Sequence, residues 1–197
     1  MRQLNDNIRL RDATKSDAEI LTALINFAGE GLPVYLWSRM AGPGQSPWDV
    51  GRARAVRETG SFSYRHATMI DFGDYAAGTL IGYPIGTAPE PIGDDMPPIV
   101  VPLQELENLA LGTWYVNVLA VLPGFREIGL GSKLLERAED TAYYFGHHGL
   151  SIIVSSANEG ARRLYARHGY RETARRTMVK DGWRHPGVDW ILLLKTL

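Results

Sequence analysis

The stretch VLPGFREIGLGSKLL, Val121 to Leu135, limits what this chain can fold into more than any other. Before it, TWYVNVLAV reads as a buried strand that Pro123-Gly124 stops. After it, Leu130, Leu134, Ala138, Thr141/Ala142 and Phe145 recur at helical spacing from Ile128 to Phe145, and Gly146 ends the run. Between strand and helix stand Gly124, Gly129 and Gly131, residues that are poor at starting helices. That choice makes sense if the backbone itself is the ligand-binding group. The first turn of a helix leaves N–H groups without partners, and the macrodipole adds partial positive charge there. Glycine lets those amides approach an anion with no Cβ in the way, and Arg126 adds a fixed charge with forked donors. The pattern points to a phosphate-bearing ligand.

Two common phosphate loops fail here. Gly124 and Gly129 have the spacing of a Walker loop, but Leu130 follows where Lys and Ser or Thr are required. A dinucleotide fingerprint fails because Gly129-x-Gly131 is followed by Leu134. What remains is R-x-x-G-x-G, at Arg126, Gly129 and Gly131.

The rest of the chain reads as alternating helices and strands. IRLRDAT, Ile8 to Thr14, is a first strand; Thr14 caps a helix with Ile20, Leu21, Leu24 and Phe27 as its apolar stripe and Gly29 at its end. LPVYLWSRMA is a short helix, and another begins at Ser46-Pro47 and closes at Gly60. SYRHATMIDFGDYAAGTLIGYPI is a hairpin around DFGDY. The proline-rich GTAPEPIGDDMPP is a loop, either a lid or substrate loop or a linker. LQELENLA is a short helix, LSIIVS a buried strand, NEGARRLYARHGY a helix capped by Asn158 and ended by Gly169, and VDWILLLKTL a last strand. The expectation is one mixed α/β domain with strands clustered in the first and last thirds.

Against this pattern, VLAVLPGFREIGLGSKLL resembles the acetyl-CoA-binding motif of the GCN5-related N-acetyltransferase (GNAT) superfamily. NEGARRLYARHGY is similar to that superfamily's following motif, in which an Asn opens a helix and a Tyr sits two turns later. The resemblance covers roughly Thr113 to Tyr170; one departure is Glu127, where many members have glycine. It implies a twisted central mixed sheet flanked by helices, in a single domain over residues 1–197. Residues 1–110 would form acceptor-side elements, 113–170 the cofactor core and 171–197 C-terminal strands. It also implies that β-strand backbone splays at a bulge near Asn117–Val121, so that Leu119, Ala120 and Val121 hold the pantetheine arm of acetyl-CoA. Arg126, Glu127, Ile128, Gly129, Leu130, Gly131 and Ser132 would offer N–H groups to the pyrophosphate. Asn158 would hydrogen-bond the cofactor, and Tyr165 would stand near the sulfur with Asn117 orienting substrate.

Elementary chemistry is compatible with those roles. Asn158 and Tyr165 share a helix face roughly 10 Å apart, which suits one residue on the arm and one at its reactive end. A phenol of pKa about 10 can hydrogen-bond or protonate a thiolate of pKa about 8.5, but not strongly downhill. Asn158 is also a good N-cap, and Tyr165 sits where a C-terminal Schellman motif brings it against Tyr170. Glu30, His66 and Glu105 are candidate bases from other elements. Tyr35, Trp37, Tyr64 and Tyr83 are candidates for an acceptor pocket or for core packing. Trp183-Arg184-His185 is a surface turn or flanks substrate.

Composition narrows the class further. The chain has no cysteine, which excludes disulfides, Cys-based metal sites and a covalent thiol relay. His147-His148 follows a helix end, where cations favour the dipole, and no metal is expected. Net charge is −1, no apolar leader opens the sequence and no window spans a bilayer, so a cytoplasmic protein is expected, without nucleic-acid or membrane partners. Between Ala161 and Arg184 eight basic residues face Glu172 and Asp181, as a solvated face or an electropositive rim. The reading is an N-acetyltransferase, monomer or homodimer, moving an acetyl group from acetyl-CoA to a small-molecule or peptide primary amine by direct attack in a ternary complex. The alternative is a non-catalytic acyl-CoA-binding domain of the same fold.

Overall fold

The structure, a computed structural model, describes residues 7–197; the leader reading extends over residues 1–6, outside the described residues. Seven strands form one mixed sheet: β1 (Ile8–Asp12), β2 (Ala67–Phe72), β3 (Tyr75–Pro84), β4 (Trp114–Val121), β5 (Gly149–Ser155), β6 (Arg171–Thr177) and β7 (Asp189–Thr196), in the order β1-β2-β3-β4-β5-β7-β6. The helices are α1 (Ala18–Ala28), α2 (Leu32–Met40), α3 (Pro47–Ala55), α4 (Val101–Glu107), α5 (Leu130–Tyr144) and α6 (Glu159–Arg167). The mixed α/β class is as expected, but the strands are not confined to the outer thirds: β3 and β4 occupy the middle of the chain. No single described helix is long and apolar enough to cross a membrane.

The chain forms two compact units, one of residues up to Gly82 with Val118–Leu134, the other Tyr83–Asn117 with Leu135–Leu197. In the first, β1 and β2 pair antiparallel, as do β2 and β3, with a register shift at Ile70/Asp71. Its core joins Leu21, Leu24, Ile25, Trp37, Met69, Ile81, Val118 and Ala120, all buried. Helix α1 turns Leu21, Leu24 and Ile25 inward, whereas Phe27, expected in that stripe, is 45% exposed and lies under the Arg126 guanidinium at 5.4 Å. Ser46 caps α3 as expected, accepting from the Asp49 N–H in a capping box. The helix ends at Ala55 rather than running to Gly60, because Val56 already leaves helical geometry. Gly78 on β3 is required by close approach: a Cβ there would lie 2.5 Å from the Ala120 carbonyl oxygen.

Arg11 on β1 binds Asp17 through two 2.8–2.9 Å contacts and Asp71 at 2.8 Å. The Arg11 hydrogen bond, with the Thr14 N–H as a smaller contributor, lowers the Asp17 carboxyl to about 2. A carboxyl depressed by folding contributes stability above its unfolded pKa and loses it as pH falls through the folded value. Asp17→Asn is expected to cost about 2 kcal/mol at pH 7. The gap to the wild type should close between about pH 4 and pH 2, as read from denaturant midpoints across pH.

In the second unit, β5 pairs antiparallel with β7 along its whole length, and β7 with β6. Strand β6, RETARRT, is an edge strand whose charged side chains discourage further pairing. Helix α5 begins at Leu130 and buries Leu134, Leu135, Ala138 and Ala142. Phe145, expected to continue that stripe, is 62% exposed and stacks on Trp114 with centroids 5.7 Å apart. Trp183 is buried rather than part of a surface turn, stacked on His185 at 4.4 Å and parallel to Trp190 at 6.0 Å.

Candidate functional site

The site residues divide between the two units. In the first, Val118 and Ala120 face the core while Leu119 and Val121 alternate to the other side and stay half-buried. The strand hands over at Leu122, whose N–H donates to the Ala77 carbonyl at 2.8 Å, and a 3₁₀ turn follows at Pro123–Phe125. The Arg126 N–H closes that turn on the Pro123 carbonyl at 3.3 Å. Its side chain folds back, Nε donating to the Val121 carbonyl at 3.2 Å.

The next residues hold the unusual backbone. Glu127 has φ +64° and Gly129 φ +89°, both left-handed, and a Cβ on Gly129 would meet nothing within 4 Å. The glycine is needed for its conformation, not for space. Helix α5 starts one residue later, and the N–H groups of Glu127, Ile128, Gly129 and Leu130 donate no hydrogen bond to the described residues. Gly131 and Ser132 form the first turn of α5. A run of backbone donors at the positive end of a fifteen-residue helix suits an anion.

In the second unit, β4 and β5 pair in parallel at only two positions, Trp114↔Leu150 and Tyr115↔Ser151. Val116 and Asn117 have no register partner on β5, although β5 runs on to Ser155 beside β7. Beyond Tyr115 the strand has no register partner on β5, and β4 is continuous over Trp114–Val121. Asn117 Nδ2 donates to the Tyr83 hydroxyl at 2.9 Å, and the Tyr83 ring meets the Tyr115 ring edge-on at 5.6 Å.

Asn158 is the N-cap of α6: its Oδ1 accepts from the Ala161 N–H at 3.1 Å. Tyr165 is buried and ends the same helix in a Schellman motif, with Gly169 (φ +85°) donating to the Ala166 carbonyl and Tyr170 to the Tyr165 carbonyl, each at 3.1 Å. The Tyr165 and Tyr170 rings lie 5.9 Å apart. Burial first, then Glu139 and Tyr165, raises the Tyr170 hydroxyl far above the usual phenol range. Tyr115 is likewise raised, by burial and then by the charge of Glu107.

The other candidates sort themselves by their partners. Glu105 pairs with Arg176 at 2.6 Å, so it is held in an ion pair. Trp37 is core, and Tyr35 and Tyr64 are half-buried in the first unit. Of the basic run, Arg163, Arg175 and Arg176 pair with carboxylates, in keeping with a solvated face. His147 binds the Gly112 carbonyl oxygen through Nδ1 at 3.0 Å, and no group of three His, Asp or Glu able to hold a metal occurs among the described residues. The proline-rich loop is anchored: Asn108 exchanges hydrogen bonds with the Glu90 N–H and carbonyl, each at 2.9 Å.

The sequence reading does not single out half-buried Glu107 on α4 or buried Tyr115 on β4. Leu103, Leu106 and Glu107 fall at the i, i+3 and i+4 positions of α4, with Leu106 buried and Leu103 and Glu107 half-buried.

Comparison with known proteins follows the same lines. Among curated proteins no sequence relative matches. Several solved structures share the fold. An acetyltransferase crystal structure is 21% identical with a TM-score of 0.64, covering 95% of this chain and 98% of that one. A GNAT family acetyltransferase from Elizabethkingia anophelis with acetyl-CoA bound is 18% identical, TM-score 0.62, covering 98% and 99%. Arabidopsis thaliana Naa50 in complex with the bisubstrate analogue CoA-Ac-MVNAL is 16% identical, TM-score 0.57, covering 97% and 99%. Residues 37–170, more than half of the chain, match the Acetyltransferase (GNAT) family. With its mixed sheet, parted central strands and glycine-entered helix, this chain belongs to the GNAT acetyltransferase family.

Proposed function

We propose that the protein transfers an acetyl group from acetyl-CoA to a primary amine by direct attack of the amine on the thioester. The observation that carries this reading is the run of unengaged N–H groups from Glu127 to Leu130 at the start of α5. These donors, with Gly131 and Ser132, would hold the cofactor's pyrophosphate. Leu119, Ala120 and Val121 would lie along the pantetheine arm as an added strand does, with backbone hydrogen bonds supplying the grip. For the Val121 carbonyl to join, Arg126 Nε must release it and turn its guanidinium to the phosphates. Asn158 keeps Oδ1 on its helix cap and offers Nδ2 to the cofactor. The acetyl-CoA of the Elizabethkingia neighbour and the CoA-Ac-MVNAL of the Arabidopsis one support this choice of donor and a small-molecule or peptide acceptor.

In the reaction, the amine nitrogen attacks the acetyl carbon, an oxyanion develops, and a thiolate leaves. A β4 N–H would stabilise the oxyanion. Tyr165 would hydrogen-bond or protonate the leaving sulfur, and Asn117, tied to Tyr83, would orient the acceptor. No cysteine exists to carry the acetyl group between steps, in agreement with a ternary complex. The absence of thiols also makes the test clean. A thiol reagent in a mixture of this protein, acetyl-CoA and a panel of amines reports released CoA alone. Release that requires both enzyme and amine is expected. Saturable acetyl-CoA binding with no release for any amine would favour a non-catalytic acyl-CoA-binding domain instead.

A further inference from the structure

Strand β4 sorts its side chains onto two faces. Val116, Val118 and Ala120 are buried on one, while Asn117, Leu119 and Val121 alternate on the other and stay half-buried. Successive residues on one face of a strand lie about 7 Å apart. Asn117 therefore stands one such step from Leu119, a residue proposed to lie along the pantetheine arm. Pairing with β5 ends at Tyr115, so no residue of β5 is in register with Asn117.

The Asn117 side chain is held at one end only. Its Nδ2 donates to the Tyr83 hydroxyl at 2.9 Å, and the Tyr83 ring, on neighbouring β3, meets the buried Tyr115 ring edge-on at 5.6 Å. Just beyond Tyr83, the Ile85 N–H donates to the Thr113 carbonyl at 2.9 Å and ties the two chain segments together. The phenol is thus fixed by its ring, and its oxygen takes the nitrogen end of the amide. Asn117 Oδ1 accepts no hydrogen bond from the described residues. A carboxamide fastened by its nitrogen presents its oxygen, with two lone pairs, as a ready acceptor.

We infer that Asn117 Oδ1 accepts a hydrogen bond from an N–H of the attacking amine, and that Tyr83 is the positioning residue that keeps Oδ1, rather than Nδ2, turned to it. This rests on the acetyltransferase reading above and deepens it, since it says how the acceptor nitrogen is held.

The two ends of the amide have opposite effects on a nucleophile. A neutral amine attacks through its lone pair and keeps its N–H bonds as donors. Oδ1 binds an N–H and leaves the lone pair free to meet the acetyl carbon. Nδ2 in the same place would donate to that lone pair and occupy the electrons that must form the C–N bond. Asn117 forms no bond with the substrate and takes no proton, so its contribution is orientation. Tyr83 touches neither substrate nor cofactor in this scheme and acts through Asn117.

The test is a double-mutant cycle in kcat/KM for the amine of the panel that the wild type acetylates best: wild type, Tyr83→Phe, Asn117→Asp and the two changes together. Tyr83→Phe keeps the ring and its contact with Tyr115. It should lose about tenfold, the size of one net hydrogen bond, while acetyl-CoA affinity by calorimetry stays within about threefold. A carboxylate has an acceptor oxygen at either end and needs no such orientation. In the Asn117→Asp protein the same Tyr83→Phe change should therefore cost less than about twofold. Equal losses in the two backgrounds, as a packing role for Tyr83 would give, overturn the assignment and leave acetyl transfer standing, as does no loss from Tyr83→Phe. Should Tyr83→Phe not fold, Asn117→Leu carries the test: lacking both ends of the amide, it should lose more than about tenfold, and a smaller loss overturns the assignment. A wild type that acetylates no amine overturns both readings.

Discussion

Gly129→Asp should weaken acetyl-CoA binding about 100-fold while leaving the protein folded. Aspartate is among the side chains that tolerate left-handed backbone, which the φ of +89° at this position demands, and the space beyond Cα is open. The conformational penalty is about 1 kcal/mol. The carboxylate, however, would stand among the amides proposed to grip the pyrophosphate. Two like charges about 5 Å apart at an effective dielectric constant of about 20 repel by about 3 kcal/mol, which is a little over two decades of affinity. Gly129→Asn imposes the same backbone strain without the charge and should lose less than about tenfold. Titration calorimetry on both variants separates charge from shape. Equal losses in the two would mean that the loop matters for its conformation and not for holding an anion.

That prediction draws on the part of the molecule most readable in the sequence. A strand stopped by proline and a helix entered through glycines leave few ways to fold, and β4, the turn and α5 stand close to where the pattern places them. The Asn158 cap and the Gly169 Schellman stop are equally local devices, decided by residues within one turn of each other. What the sequence hid was set by tertiary pairing. Strand β6 has no apolar alternation, and it is the register with β7 that makes a strand of it. Phe27 fits the stripe of α1 by spacing, yet its ring serves Arg126 while Ile25 fills the core. Helix α4 has only seven residues, too few for an apolar pattern to mark out half-buried Glu107. The end of the β4–β5 pairing after Tyr115 carries no sequence signal beyond the family resemblance, since β4 stays apolar on both sides of Asn117 and β5 is interrupted only by serines.

Tyr165→Phe should lower kcat between about 10- and 100-fold with little change in acetyl-CoA affinity. The substitution keeps the ring, and so keeps the 5.9 Å contact with Tyr170 and the helix stop that Tyr170 completes. Thermal unfolding should shift by only a few degrees. What is removed is the hydroxyl proposed to meet the departing thiolate. A phenol is a weaker acid than the thiol it would protonate, which is why the expected loss stays below the upper range of general acid catalysis. Equal turnover in the two proteins, measured on an amine that the wild type acetylates, would assign Tyr165 to packing alone.

The account stands on backbone donors beyond Pro123 holding a diphosphate, with β4 alongside the thioester's arm. Titration calorimetry of the folded wild-type protein with acetyl-CoA measures that directly. Saturable uptake at one site per chain, weakened as salt screens the phosphates, is the expected result. A folded protein that takes up neither acetyl-CoA nor CoA would contradict it.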